Sequence, residues 1–245
     1  MKTGHVRRAR GPPARRLRAV VTDLDGTLTD ASRRLAPTAI RQVRRLEDDG
    51  IPVVLATGNV LPIALALHRS LGLTGPVIAE NGGVLYHRSS GGAEHIEHLA
   101  DPRIAHAAYQ TLRRSGLPVR RLFTDRWRET EIALEPTVGV PALRRALRGR
   151  PLTIESTGYA IHLMERGAGK LPALIRALAL IGLAPKDCVI LGDGDNDVAM
   201  LRAAGFGVSF SSASSRARRA ARYVSSATYA DGFVEGLKAS GILLH

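Results

Sequence analysis

Aspartate residues form two short clusters in the sequence, and each cluster directly follows an apolar run. Asp23 and Asp25 lie in the segment DLDGTLTD, and three further aspartates lie in GDGDND, residues 192–197. Two carboxylates spaced two residues apart on an extended chain point to the same side and repel one another unless a cation offsets their charge. A turn at Asp25-Gly26, or a helix cap in the second cluster, explains some of these acids but not all five. The pattern predicts a site for a hard ion, Mg²⁺, which prefers oxygen ligands.

Two further segments carry residue types that suit a phosphate group. Thr57, Gly58 and Asn59 follow an apolar run and precede a helical pattern, where a hydroxyl and backbone amides face the end of a strand. Lys170 follows two glycines at the start of another helical pattern and offers an ammonium to phosphoryl oxygens. Taken alone, the first segment is also an ordinary turn and the second an ordinary surface lysine. Together with the acidic clusters, they predict a site for a phosphorylated ligand.

The elements that must position these residues alternate between strand and helix. Apolar runs at 17–24, 51–56 and 76–79 are short and continuous, which is typical of strands buried on both faces. Helical patterns separate them, the first beginning near Pro37 and the second covering about 61–71. Such units require crossover connections and therefore a parallel sheet flanked by helices. We expect the ends of these strands to converge at one edge of the sheet.

A different pattern occupies residues 84–164. Its order, two strands, a helix, two strands, a helix and two strands, predicts a separate antiparallel sheet with helices on one face. The α/β pattern then returns with a helical stripe near 171–181 and the buried run CVILG. The predicted fold is α/β, a Rossmann-like parallel-sheet core formed by residues 19–83 and 165–245, interrupted by an inserted α+β domain at 84–164.

Charge and composition bound the remaining possibilities. The 245 residues carry a formal net charge of +13, and residues 1–18 contribute seven basic residues with no acid. We interpret this segment as a disordered basic tail, so nucleic acid is an unlikely partner apart from that tail. The single cysteine, Cys188, cannot form an internal disulfide, and no apolar run is long enough to span a membrane. These features favour a cytoplasmic protein with no membrane partner, either a monomer or a homodimer.

The four motifs together resemble those of the haloacid dehalogenase superfamily of phosphotransferases. The resemblance rests on DLDGTLTD, the Thr57-Gly58 pair, Lys170 and GDGDND, which match in order and spacing across about residues 19–245. The insert resembles the larger α+β cap of this superfamily. Within that group, ATGN (56–59), ENGG (80–83) and YADGFVEGL (229–237) most resemble the archaeal phosphoglycolate phosphatases. The resemblance implies an aspartyl-phosphate mechanism that depends on Mg²⁺.

The resemblance also implies a role for each site residue. Asp23 is the implied nucleophile, and Asp25 is the implied general acid and base. The implied Mg²⁺ ligands are the Asp23 side chain, the Asp25 main-chain carbonyl, Asp193 and Asp197, the last directly or through water. Thr57, Gly58, Asn59 and Lys170 are expected at the phosphate, with Asn196 orienting its neighbours.

The sequence departs from the family where many cap-bearing relatives have arginine, because Asn59 stands there. Four arginines of the insert, Arg120, Arg121, Arg126 and Arg128, are candidates for binding a substrate carboxylate, although a solvated strand edge explains them as well. His162 fits a packed or surface histidine better than a catalyst.

The foremost functional prediction is hydrolysis of a small phosphorylated metabolite, 2-phosphoglycolate, to glycolate. The alternatives are a sugar-phosphate phosphatase, a phosphohexomutase that returns the phosphoryl group to a sugar, and a nucleic-acid-binding protein with a decayed phosphatase core.

Overall fold

Strands of the protein form two sheets. A computed structural model describes residues 16–157 and 159–242, and in these residues one sheet has eight strands and the other three. The strands of the larger sheet are β1 Ala19–Thr22, β2 Val53–Ala56, β3 Val77–Ala79, β4 Val84–Arg88, β5 Glu94–His98, β9 Cys188–Leu191, β10 Phe206–Phe210 and β11 Tyr223–Ser225. Their order across the sheet is β11-β10-β9-β1-β2-β3-β4-β5. The six strands from β11 to β3 are parallel, whereas β4 and β5 are antiparallel to their neighbours.

Helices cover both faces of the larger sheet. On one face lie α1 Pro37–Asp48, α2 Leu61–Leu71 and α8 Tyr229–Ser240, which share a core with Val20 and Leu55. On the other face lie α5 Lys170–Leu180 and α6 Val198–Ala203, which share a core with Val21 and Ile190. The short helix α7 Ser215–Ala220 packs beside α6. Burial on both faces explains why the central strands contain continuous apolar runs. The predicted α/β class is confirmed.

The insert forms a smaller layered unit, which we call the cap. It contains α3 Pro102–Arg114, β6 Ile132–Leu134, α4 Val140–Ala146, β7 Leu152–Ser156 and β8 Ile161–Glu165. Its antiparallel sheet has the order β6-β8-β7, and the two helices pack on it through Leu112, Leu143 and Leu163. His162 lies on β8, the central strand of this sheet, where it is paired with Ala133 of β6 on one side and Glu155 of β7 on the other.

The prediction that residues 84–98 pair within the insert is wrong. Ile78 of β3 pairs with Leu85 of β4, and β5 pairs with β4, so both strands extend the larger sheet. The first residues of β4 are buried, because a strand joined to the core sheet is covered on both sides. The division predicted at residue 83 therefore falls between two strands of one sheet.

One predicted strand of the insert is also absent. Within residues 118–124 only Arg121 forms an isolated bridge, to Leu134, and a 3₁₀ turn follows at Phe123–Trp127. The buried carboxylate of Asp125 accepts the Ala133 backbone amide at 2.5 Å, so a side chain takes a hydrogen bond that a neighbouring strand would otherwise make. The predicted basic tail lies almost entirely outside the described residues. Among the described helices, none has the length and apolar character needed to cross a bilayer.

Candidate active site

Three neighbouring strands end at one cleft. Asp23 follows β1, Thr57 follows β2 and Asp193 follows β9 after a single glycine. The cleft has a volume of about 650 Å³ and is lined by residues of both the core and the cap. Convergence of these residues follows from the parallel pairing of β1 with both β2 and β9, which brings their carboxyl ends to the same edge.

The carboxylates of both acidic clusters meet at the floor of this cleft. Oxygen atoms of Asp23, Asp193 and Asp197 lie within 4.8 Å of one another. The ammonium of Lys170 donates hydrogen bonds of 2.7 Å to Oδ1 of Asp23 and 2.7 Å to Oδ1 of Asp197. The Lys170 side chain is 1% exposed, so these bonds are charge-assisted and shielded from water. The lysine therefore contacts the acids directly and lies behind the cleft surface.

Burial and mutual repulsion perturb the acids of this cluster. Burial raises the pKa of Asp23 well above its ordinary value, and the charges of Asp197 and Asp193 add to the rise while Lys170 opposes it. Burial, followed by the charge of Asp197, raises the pKa of Asp193 to about 7. The nearby carboxylates raise the pKa of Lys170 despite its burial, so the ammonium stays charged. The protein alone leaves this site with too little positive charge for its carboxylates.

A hard divalent cation fits the residues present. The site offers several carboxylate oxygens in a small volume, and two of the acids have pKa values raised by crowding and burial. Asp197 differs from the others because both of its oxygens already have partners: Lys170 contacts Oδ1, and the amides of Asp193 and Gly194 donate to Oδ2 at 3.1 and 2.9 Å. Asp23 and Asp193 are thus freer to contact an ion than Asp197.

Gly26 is required by the close approach of the two loops. Its φ of 80° lies in the left-handed region, and a Cβ there would overlap the carboxylate of Asp193. The Asp25-Gly26 dipeptide thus lets the first acidic loop pack against the second.

The loop after β2 positions a polar amide at the first acidic cluster. The side-chain Nδ2 of Asn59 donates to Oδ2 of Asp25 at 2.6 Å, and the backbone N–H of Asn59 donates to the hydroxyl of Thr57 at 3.1 Å. The Glu80 and Asn81 amides donate to the carbonyls of Asn59 and Thr57, which fixes the loop from behind. Asn59 thus contacts the side chain of Asp25 directly. The predicted residues Thr57, Gly58, Asn59 and Asn196 all line the cleft, together with Asp25.

The cap contributes cleft residues that the sequence analysis undervalued. Arg128 and His162 both line the cleft, and each has a buried side chain that contacts the carboxylate of Glu131. Of the other three candidate arginines, Arg120 pairs with Glu135, Arg121 pairs with Asp125, and Arg126 stacks on Phe123. Those three do not line the cleft. In the sequence, the ion pair between Arg128 and Glu131 is indicated only by their spacing of three residues. Many surface segments have the same spacing, so it does not by itself predict a buried pair.

A turn between β3 and β4 joins the cap to the cleft. The buried carboxylate of Glu80 accepts the amides of Glu129 and Thr130 and the Thr130 hydroxyl. Asn81 accepts a hydrogen bond from Asn196 at 3.0 Å and donates one to Glu131 at 3.2 Å. Burial raises the pKa of Glu80, and its three donors oppose the rise. The ENGG segment stands out in the sequence, but its contacts do not, because partners such as Thr130 and Asn196 lie 50 and 115 positions away.

Comparison with known proteins agrees with this geometry. A sequence model for haloacid dehalogenase-like hydrolases matches residues 20–130 and 142–237. A phosphoglycolate phosphatase of Methanothermobacter thermautotrophicus is 37% identical over 223 residues, which cover 91% of this chain and 98% of the relative. A phosphoglycolate phosphatase of Methanoculleus marisnigri is 37% identical over 227 residues, with 91% and 96% covered.

Solved structures show the same architecture. A crystal structure of a Thermoplasma acidophilum protein superposes with a TM-score of 0.82 at 27% identity, covering 94% of this chain and all of that one. The sequence-based prediction of a phosphatase agrees with the names of the two relatives, and the predicted α/β core with an inserted cap agrees with the shared fold. On this evidence, the chain belongs to the haloacid dehalogenase-like hydrolases.

Proposed function

We propose that the protein is a Mg²⁺-dependent phosphomonoester hydrolase that acts through an aspartyl-phosphate on Asp23, with 2-phosphoglycolate as its foremost substrate. The observation that carries the proposal is the position of Asp23 at the cleft floor. Lys170 donates a hydrogen bond to one of its oxygens, and a carboxylate oxygen of Asp193 lies within 4.8 Å, close enough for both acids to bind one metal ion. The two similar phosphoglycolate phosphatases, which extend over nearly the whole chain, support the choice of substrate.

The Asp23 carboxylate is held in a fixed orientation. Because Lys170 bonds Oδ1, the carboxylate cannot rotate freely, and its other oxygen is the one that attacks phosphorus. An oxygen–phosphorus bond forms as the ester bond to the leaving alkoxide breaks. Water then attacks the phosphorus of the aspartyl-phosphate, the bond to Asp23 breaks, and inorganic phosphate leaves with the carboxylate restored.

Asp25 is placed to move the protons of both steps. It lines the cleft two residues beyond the nucleophile, and Asn59 holds its Oδ2 at 2.6 Å. In the first step its carboxyl donates a proton to the leaving alkoxide, and in the second its carboxylate removes a proton from the attacking water. A hydrogen bond from one side fixes the group while leaving its other oxygen for the substrate.

Negative charge in the cleft must be offset for phosphate to bind. Asp23 and Asp193 would hold the Mg²⁺ ion, with Asp197 contacting it directly or through water. The bound ion supplies positive charge that reduces repulsion between the carboxylates and the phosphate. The hydroxyl of Thr57 and the backbone of Gly58 line the cleft beside Asp23, where they can position phosphoryl oxygens.

A sugar phosphate is a second candidate substrate. The cleft volume of about 650 Å³ exceeds what a two-carbon acid phosphate fills, and it lies within the range of pockets that bind larger metabolites. A six-carbon ester is therefore accommodated if the cap does not close further on the core.

The decisive experiment measures phosphate release from 2-phosphoglycolate and from hexose phosphates, with Mg²⁺ and with excess chelator. We expect turnover with Mg²⁺ only, higher kcat/KM for 2-phosphoglycolate, and loss of activity in Asp23→Asn. Activity retained by Asp23→Asn or in chelator would refute the mechanism. Preference for a hexose phosphate would replace the substrate but keep the chemistry, and isomer formation without phosphate release would indicate a mutase.

A further inference from the structure

Glu131 is a buried carboxylate at the cap side of the cleft. Its side chain is 2% exposed and accepts hydrogen bonds from Arg128 Nη1, from His162 Nδ1 at 3.0 Å and from Asn81 Nδ2 at 3.2 Å. Burial alone would raise the pKa of Glu131, but the charges of His162 and Arg128 lower it. Glu131 is therefore an acceptor that stays ionised and fixes three donors.

This arrangement determines which nitrogen of His162 faces other partners. A carboxylate can only accept, so Nδ1 carries the proton that it shares with Glu131. In residues 16–157 and 159–242 the hydrogen bond of the His162 ring is made by Nδ1, which leaves Nε2 to the cleft that the residue lines. A group in the cleft can bond to this nitrogen.

Arg128 is fixed beside His162 in the same wall. Its side chain is 4% exposed, and Nη1 donates at 3.1 Å to the carbonyl of Gly58, in the loop of residues 57–59 that we call the phosphate loop. Among the residues that the structure describes, the buried Nε has no hydrogen-bond partner, and Oδ1 of Asp125 lies 3.9 Å from it. The guanidinium thus spans from the cap to the core with unused donor capacity.

The distribution of charge in the cleft separates two ends. The acids that line the cleft lie on the core side, whereas the cap side lines it with Arg128 and His162 and keeps Glu131 behind them. The acidic residues that line the cleft are Asp23, Asp25, Asp30, Asp193 and Asp195. The other lining arginine, Arg33, is placed 4.2 Å over the ring of Tyr159. An anionic group at the far end of a substrate would meet repulsion from the core side and attraction from the Arg128 and His162 wall.

We propose that His162 and Arg128, oriented by Glu131, form a cap-side subsite that binds the carboxylate of the substrate. Protonated His162 donates from Nε2 to one carboxylate oxygen, and Arg128 donates to the other. Glu131 is a positioning residue that does not touch the substrate. The subsite rests on the proposed phosphatase function and explains how the enzyme selects an acid phosphate without an arginine at residue 59.

The test compares two esters that differ only at the far end, 2-phosphoglycolate and ethyl phosphate, in which a methyl replaces the carboxylate. His162→Asn retains a donor to Glu131 but lacks the Nε2 position, whereas His162→Gln places an amide near it. We expect His162→Asn to reduce the ratio of kcat/KM for the two esters by roughly ten- to hundredfold, chiefly through KM for 2-phosphoglycolate. His162→Gln should lose less, and Arg120→Gln, on an exposed pair outside the cleft, should keep the wild-type ratio.

A pH profile adds a readout that a purely structural role would not move. KM for 2-phosphoglycolate should rise as the imidazole loses its proton, whereas KM for ethyl phosphate should not follow that titration. The charged groups around the imidazole are Glu131, Arg128 and Glu155, which faces it from β7. Glu131→Gln should reduce the preference for 2-phosphoglycolate over ethyl phosphate, because it removes the charged acceptor that orients Nδ1 of His162.

The outcomes separate the subsite from the function on which it rests. If His162→Asn lowers kcat/KM equally for both esters, or for neither, the subsite is overturned. Mg²⁺-dependent hydrolysis of ethyl phosphate would still support the phosphatase function in that case. If the wild type hydrolyses neither ester, the proposed function fails and the subsite fails with it.

Discussion

Lys170→Met removes the only cation that the structure bonds to both acidic clusters among the described residues. Methionine has nearly the same length, so the change leaves Asp23 and Asp197 facing an uncharged side chain. Each lost hydrogen bond measures 2.7 Å and joins two charged groups. Bonds of this kind contribute about 1.5–3 kcal/mol, and removing one partner of a buried pair costs about 3–5 kcal/mol. We expect the free energy of unfolding to fall by about 3–5 kcal/mol, which lowers Tm by about 6–20 °C in a chain of this size.

The assay is urea unfolding in excess chelator, combined with a double-mutant cycle. Lys170→Met, Asp197→Asn and the double variant are compared with the wild type, so that removal of the unpaired charge is measured separately. The double variant should be more stable than the sum of the single effects predicts, with a coupling energy of at least about 1.5 kcal/mol, because Asp197→Asn relieves the unpaired carboxylate. Phosphate release should nevertheless remain lost in the double variant, since Asp23 is no longer held.

A coupling energy near zero, or a Lys170→Met protein within about 1 kcal/mol of the wild type, would refute this reasoning. Either result would mean that the acids are protonated or solvated in the folded protein and that Lys170 does not balance their charge. Lys170→Arg serves as the matched control, because it keeps the charge and changes only its shape.

Three further predictions follow from single features of the structure. The pKa of Asp193 is about 7 in the folded protein and about 4 in the unfolded chain. Between these values the metal-free folded state binds more protons than the unfolded state, so its stability falls as pH rises. Mg²⁺ should therefore raise Tm more at pH 8 than at pH 5.5, and an equal rise at the two pH values would contradict this prediction. Gly82→Ala should lower the free energy of unfolding by more than about 3 kcal/mol, because the added Cβ would overlap the Gly169 carbonyl. Gly92 also has a positive φ but lies in open space, so Gly92→Ala should lower it by only about 1 kcal/mol in the same urea assay. Burial raises the pKa of Cys188 to about 12, so a thiol reagent should label it only after denaturation, and rapid labelling of the native protein would be inconsistent with the structure.

Local patterns were sufficient to predict the core and its acidic cluster. Asp23 and the second acidic loop each follow a buried strand, and the convergence of strand ends in a parallel sheet then brings them together without further information. The same reasoning placed Thr57 and Gly58 in the cleft. In each case the site residue follows within a few positions of the apolar run that predicts its strand.

The partners of strands and of isolated charges could not be predicted in this way. The alternation in β4 and β5 is the same whether they extend the core sheet or form a sheet in the insert, because pairing depends on contacts that the pattern does not record. His162 looked like a packing residue because its partner, Glu131, is 31 positions away. The motifs predicted Lys170 at the phosphate and near the acidic cluster, but not its direct hydrogen bond to Asp23, which is 147 positions away.

The turn at residues 80–83 makes the cap and the acidic cluster one mechanical unit. Its amides hold the loop that carries Thr57 and Asn59, and the side chains of Glu80 and Asn81 hold the cap segment that carries Glu131. Gly82 lies against the backbone immediately before Lys170. A displacement of the cap large enough to break these contacts would therefore disturb both the phosphate loop and the charge balance at Asp23.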